Sequence, residues 1–253
     1  MARAKRAMAL TIAGFDPSGG AGVLADVRTF AEFGLSAAAV ITSITFQNAA
    51  RVFGAAHQTP EVVRSQIDPL LENSAIVCAK TGMLPTREVV REVARLFSET
   101  ELPRPVVDPV LLASSGQRLM EEDALAALMN DLIPLARLVT PNILEAETLT
   151  STKISSETDM RHAAAAIRKM GAAAVLIKGG HLVSEAAIDV LDNAGQVTVF
   201  REQRIAGAEL HGSGCILSAA IAAGLGKEMT LEDSVGAAKR FVLEAIRKDA
   251  GPG

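Results

Sequence analysis

Along almost the whole chain, short apolar runs that stop at turn residues alternate with stretches of helical period. Residues 7–14, 36–45, 75–80, 105–110, 137–140 and 173–178 read as strands, and their near-continuous apolar character predicts burial on both faces. Between them, residues 21–33, 60–72, 86–97, 123–133 and 158–170 read as helices. Pro60 sits at a first helical position, and Gly34 and Gly171 close two of the helices. Pro141-Asn142 opens one more helix ahead of Glu145. Parallel neighbours need a crossover that covers the sheet, so this alternation predicts an α/β fold with a doubly wound, mostly parallel sheet and helices on both faces. Near the C-terminal end, residues 188–191 and 197–201 flank Asp192-Asn193-Ala194-Gly195, a hairpin signal. Two helices, 215–225 and 231–247, follow. No linker, repeat or low-complexity stretch divides the sequence, which reads as one domain over residues 1–253.

Composition narrows the function classes. The net charge is −4 and aromatic residues make up 3%, with no Trp or Tyr, so nucleic acid and anionic membranes are not expected partners. No apolar run reaches membrane-spanning length. Residues 7–14 are too short for a signal h-region and run straight into Asp16-Pro17. The two cysteines, Cys78 and Cys215, lie in unlike contexts, which fits a reducing compartment and a cytoplasmic location.

In open α/β sheets, ligands bind beyond the carboxyl ends of the strands. The unusual polar and glycine-rich points fall there: residues 14–22, Gln47-Asn48, Gly82-Met83, Asp108, Asn142 with Glu145, and Lys178-Gly179-Gly180. Each has an ordinary reading taken singly. Asp108 can cap a loop, Glu145 can be a solvated first-turn acid, Lys178 a surface lysine, and Gln47 can bond its own turn. At one edge of one sheet, together, they suit phosphoryl transfer. Asp108 and Glu145 suit Mg²⁺, a hard cation that takes few protein ligands, and Lys178 supplies a charge for a phosphate.

His211-Gly212-Ser213-Gly214-Cys215 then opens an Ala-rich helix. Free N–H groups at a helix start, with the positive end of the dipole, make an anion cradle over Gly212 to Cys215. Cys215 can accept the proton of an attacking hydroxyl. A thiol ionises near a pKa of about 8.5, and the helix N-terminus is expected to lower that toward neutrality. Cys78, in a strand, reads as a core thiol, and neither His181 nor His211 is given a proton-transfer role. No Gly-x4-Gly-Lys-Ser/Thr sequence is present, so a P-loop kinase is excluded.

Seven ordered motifs carry a resemblance. They are residues 9–22 (ALTIAGFDPSGGAG), Gln47-Asn48, 80–84 (KTGML), 107–110 (VDPV), 140–146 (TPNILEA), 178–181 (KGGH) and 211–215 (HGSGC). The chain resembles the hydroxymethylpyrimidine/phosphomethylpyrimidine kinases of thiamine biosynthesis, in the ribokinase-like superfamily. The resemblance implies ATP- and Mg²⁺-dependent phosphorylation of the pyrimidine's hydroxymethyl group and then of the monophosphate. It implies Cys215 as base where related enzymes carry an aspartate, and Gly212, Ser213 and Gly214 as the anion hole. Asp108 and Glu145 match residues around magnesium, Lys178 and Asn142 the nucleotide site, and Ala21, Asp26, Gln47, Met83 and Val110 the substrate pocket. It also implies a homodimer.

Phe15 stands where the family has Ser, and Ser213 and Ile216 stand where it has threonines. The chain stops at Gly253 without the family's Gly-Pro-Val-His-like tail. Two other readings are a pyridoxine or pyridoxal kinase of the same superfamily and a non-catalytic pyrimidine-binding regulator. Residues 111–117, a small flexible loop, lack the lid cysteine some pyridoxal kinases use.

Overall fold

In a computed structural model, which describes residues 6–48, 51–113, 115–180, 186–203 and 210–249, the apolar runs become strands of a single nine-stranded sheet. The strands are β1 (Arg6–Phe15), β2 (Ser36–Gln47), β3 (Val52–His57), β4 (Ser74–Thr81), β5 (Val106–Val107), β6 (Leu138–Val139), β7 (Ala174–Lys178), β8 (Ala186–Asn193) and β9 (Gln196–Gln203). Their order is β3-β2-β1-β4-β5-β6-β7-β8-β9. The six strands from β2 to β7 in that order run parallel, and β3, β8 and β9 add antiparallel pairings at the two edges.

The helices are α1 (Gly22–Glu32), α2 (Pro60–Asn73), α3 (Arg87–Glu99), α4 (Glu122–Ala127), α5 (Ile143–Thr150), α6 (Glu157–Arg168), α7 (Ser213–Gly226) and α8 (Leu231–Asp249). Strand side chains alternate between two cores. Leu10, Ile12, Ala79, Val107 and Val139 face α2 to α6, whereas Ala9, Cys78, Val106 and Leu138 face α1, α7 and α8. α7 is apolar on all sides, with Ala219, Ala220, Ile221, Ala222 and Ala223 fully buried, because α1, α8 and the sheet surround it.

Local chemistry explains where elements differ from the sequence reading. β5 and β6 are only two residues long, since Pro105, Pro109 and Pro141 lack the N–H a ladder needs. The helix expected over 123–133 is α-helical only to Ala127. It continues as a π-turn at Leu128–Leu132 and ends in a 3₁₀ turn at Ile133–Leu135, where Pro134 stops it. β3 was not expected. Its weak pattern, with Gly54 inside, gives little strand signal. The loop over 111–117 is a pinned hairpin among its described residues. Ala113 N–H donates to Gln117 C=O at 2.8 Å and Leu119 N–H to Leu111 C=O at 2.9 Å.

The direction of winding reverses between β1 and β4, since β1 leads to β2 on one side and β4 continues on the other. Such a reversal leaves a crevice at the strands' carboxyl ends.

Candidate active site

Two glycine-rich segments meet at that crevice, one following β1 and the other opening α7. Asp16 organises the first. Ser18 donates to its Oδ1 through both backbone N–H (2.8 Å) and Oγ (2.7 Å), and Ala21 N–H donates to Oδ2 (2.9 Å). His211 Nε2 lies 3.1 Å from the same Oδ2, so Asp16 ties the two segments together. Burial would raise this carboxyl, but hydrogen bonds from Gln47, Ser18 and His211 outweigh it and hold Asp16 below its ordinary value. Gln47 and Ala21 thus share one anchor.

Gly212 is the N-cap of α7, with φ 77°. A Cβ there would lie 2.1 Å from the Gly20 carbonyl oxygen, so the close approach of the two segments also demands glycine. In the anion cradle expected over residues 212–215, one N–H is already engaged. Ser213 N–H donates to Leu210 C=O at 3.1 Å. The first-turn N–H groups of Gly214 and Cys215 are the ones at the helix start.

Cys215 receives a hydrogen bond from Gly22 N–H, which brings α1's start to the thiol. The expected depression of its pKa is not what the structure gives. Although the residue keeps some exposed surface, its thiol is enclosed. Burial pushes it up to about 11, Lys80 opposes the shift, and Asp108 and Asp26 add to it. Burial outweighs both Lys80 and the Gly22 N–H. Cys78 is a core thiol beside Gly226, pushed up to about 12 by burial.

Asp26, expected in the substrate pocket, has both carboxylate oxygens engaged within the protein. It is fully buried, accepts from Lys80 Nζ at both oxygens (2.8 and 2.9 Å) and from Thr11 Oγ1 (2.6 Å). For Lys80, burial works against the charge, but Asp26, Cys215 and Asp108 outweigh burial and hold the ammonium above its ordinary value. Sequence reasoning passed over Lys80; the signal was a charged residue inside an apolar strand.

Asp108, after β5, forms the other half of the site. Its Oδ1 accepts from Lys178 Nζ (2.8 Å) and Thr140 Oγ1 (3.2 Å), and Ser218 Oγ stands 3.3 Å from Oδ2. Ser218, one turn beyond Cys215 on the same helix face, was also missed. Lys178 ends β7, where its N–H donates to Pro141 C=O (2.8 Å). A Cβ on Gly214 would lie 3.1 Å from Lys178 Nζ, so this ammonium sits against the start of α7.

Asn142 and Glu145 cap α5 reciprocally. Glu145 N–H donates to Asn142 Oδ1 (2.9 Å) and Asn142 N–H to Glu145 Oε2 (2.8 Å). Asn142, expected at the nucleotide, thus has its carbonyl oxygen engaged in the cap. Burial pushes Glu145 up to about 7, with Lys178 opposing and Asp108 adding to the shift. A buried carboxyl raised further by a second carboxylate beside it suits a divalent cation, which would relieve it. No cluster of three or more His, Cys, Asp or Glu able to hold a metal occurs among the described residues. Asp108 and Glu145 are the one or two carboxylates that Mg²⁺ takes from a protein when it keeps several waters.

Met83 is buried, with its C=O accepting from Thr42 Oγ1 (2.6 Å) and its Sδ against Gly14. It also lines a hollow of about 240 Å³ with His57 and Arg118, which sets the 111–118 hairpin beside the site. Val110 follows the Asp108 turn and is half-buried. His181 lies outside the described residues.

A family model described as phosphomethylpyrimidine kinase matches residues 16–253. A hydroxymethylpyrimidine/phosphomethylpyrimidine kinase from Rhizobium meliloti is 43% identical over 95% of this chain and 90% of its own length. The crystal structure of a Clostridium difficile phosphomethylpyrimidine kinase superposes with a TM-score of 0.85 at 36% identity, over 96% of this chain and all of that one. A Bacillus subtilis pyridoxal kinase in an ADP complex gives a TM-score of 0.85 at 34% identity, over 94% of this chain and 90% of its own. With the family model covering nearly its whole length, this chain belongs to the phosphomethylpyrimidine kinase family.

Proposed function

We propose that this chain transfers a phosphoryl group from ATP, with Mg²⁺, to the hydroxymethyl group of 4-amino-5-hydroxymethyl-2-methylpyrimidine, and then to the resulting monophosphate, in thiamine biosynthesis. The observation that carries this reading is the meeting of Lys178, the α7 start and Cys215 around Asp108. Bound Mg²⁺ and ATP supply a divalent charge and the phosphoryl group. Asp108 and Glu145 would hold the cation, and Lys178 a phosphate oxygen. The N–H groups of Gly214 and Cys215 face the charge that develops on the transferring group. Cys215 Sγ, as thiolate, takes the substrate hydroxyl proton, and Lys80 supports the thiolate. Ala21, Gln47, Met83 and Val110 shape the pyrimidine site, where an amide can donate to and accept from an aminopyrimidine edge.

ATP consumption with hydroxymethylpyrimidine, its monophosphate and pyridoxal, measured side by side, tests the assignment. Turnover of both pyrimidines above pyridoxal is expected. Faster turnover of pyridoxal moves the chain to the vitamin B6 branch, a reading that the pyridoxal kinase superposition keeps in view. Pyrimidine binding without turnover of any substrate overturns the kinase reading. The same proposal includes a cytoplasmic homodimer. Exposed Ile44, Phe46 and Phe53 at the β2–β3 edge support a second copy, and sedimentation measures it.

A further inference from the structure

One buried ion pair plays no part in the chemistry above. Lys239, on α8, places its Nζ 2.6 Å from Asp189 Oδ2, and both residues are more than nine-tenths buried. Asp189 lies on β8 directly across from Lys178 in the β7–β8 ladder. Its second oxygen, Oδ1, accepts the backbone N–H of Gly179 at 3.0 Å. Gly179 is the residue after Lys178, and its place admits no side chain: a Cβ would lie 2.0 Å from Ile188 C=O and 2.9 Å from Met160 Cε.

Lys239 belongs to α8, which packs on α7, the helix that begins at the anion site. A single carboxylate thus joins the backbone just beyond the phosphate lysine to the helix pair that carries the N–H cradle. A buried ion pair of this kind adds little net stability over an apolar pair, and its attested use is to fix one arrangement.

We propose that Asp189, held by Lys239, is a positioning residue that sets Lys178 against the nucleotide phosphate. This rests on the reading of Lys178 as a phosphate contact. The proposed test compares three variants with wild type, each at saturating Mg²⁺. In Asp189→Leu/Lys239→Met both charges go and Gly179 N–H loses its acceptor. Expected is a rise of about tenfold in KM for ATP with a fall in kcat, while KM for the pyrimidine stays within about twofold. Asp189→Asn/Lys239→Met removes the charges but keeps an acceptor for Gly179, and is expected to recover most of that loss. A merely structural pair predicts unchanged KM for ATP per folded molecule in both variants, whatever their melting temperatures; that result overturns the proposal. Equal rises in KM for ATP and pyrimidine overturn it too.

Lys178→Ala separates the two readings. If it leaves KM for ATP and kcat unchanged, the phosphate role of Lys178 fails. If it impairs them and the Leu/Met variant does not, only the positioning role fails. Should the Leu/Met variant not fold, amide exchange in the wild-type protein still tests the anchor on which the positioning rests. Gly179 N–H is expected to be strongly protected before nucleotide binds, and rapid exchange there contradicts the anchor.

Discussion

Cys215 and Lys80 carry the tension of the site. The thiol is pushed up to about 11 by burial, so in the free enzyme it is protonated at neutral pH. kcat/KM reports the free enzyme, so for the hydroxymethyl substrate it is expected to climb about tenfold per pH unit across the neutral range as the thiolate fraction grows. The Cys215→Asp variant, with a base that ionises at lower pH, is expected to lose that slope. A flat wild-type profile contradicts a thiol base. Beneath the thiol, Lys80 is the partner of a fully buried Asp26. Lys80→Met leaves that charge alone and is expected to destabilise the protein by about 3–5 kcal/mol in urea unfolding, and Asp26→Asn/Lys80→Met to recover much of it. A single variant as stable as the double one contradicts a charged pair.

At the scale of elements, α7 matters most, because its N-terminus is where the two glycine-rich segments touch. Gly212→Ala forces a Cβ toward the Gly20 carbonyl at a left-handed φ. The first turn is then expected to shift, and kcat to fall by about 10²–10³, as for loss of an anion-hole donor. Steady-state rates beside a melting curve separate this from unfolding. Most elements were legible because apolar runs and helical periods are local patterns. The placement of Asp108, Lys178 and Glu145 at the carboxyl ends of the strands was legible too, since strand ends in a doubly wound fold share one side. What was not legible depends on packing. Whether Cys215 is enclosed and whether Asp26 meets Lys80 are settled by neighbours far along the chain, and the direction of Ser213 N–H by a local turn back to Leu210. Edge strand β3 was missed because Gly54 and two alanines carry no strong pattern.

For the molecule as a whole, the reversal between β1 and β4 gathers several charges into one crevice, and the fold bears a burden for it. Glu145 releases its proton near 4.5 when unfolded and near 7 when folded. Between those values the folded state holds the extra proton, so stability falls as pH rises, by on the order of 3 kcal/mol in all. Without metal, the wild-type melting temperature is expected to drop from pH 5 to pH 8, and Glu145→Gln to drop less; identical curves contradict a raised carboxyl. The sheet exists, on this account, to bring a thiol base and a phosphate cradle to one hydroxyl. The most direct test is single-turnover phosphorylation by wild type and Cys215→Ala, with hydroxymethylpyrimidine and with its monophosphate. The hydroxyl needs its proton removed, whereas a phosphate oxygen with a pKa near 6 is already ionised at neutral pH. The variant is therefore expected to lose about 10²–10⁴-fold on hydroxymethylpyrimidine and far less on the monophosphate. Undiminished turnover of hydroxymethylpyrimidine by Cys215→Ala would contradict the account.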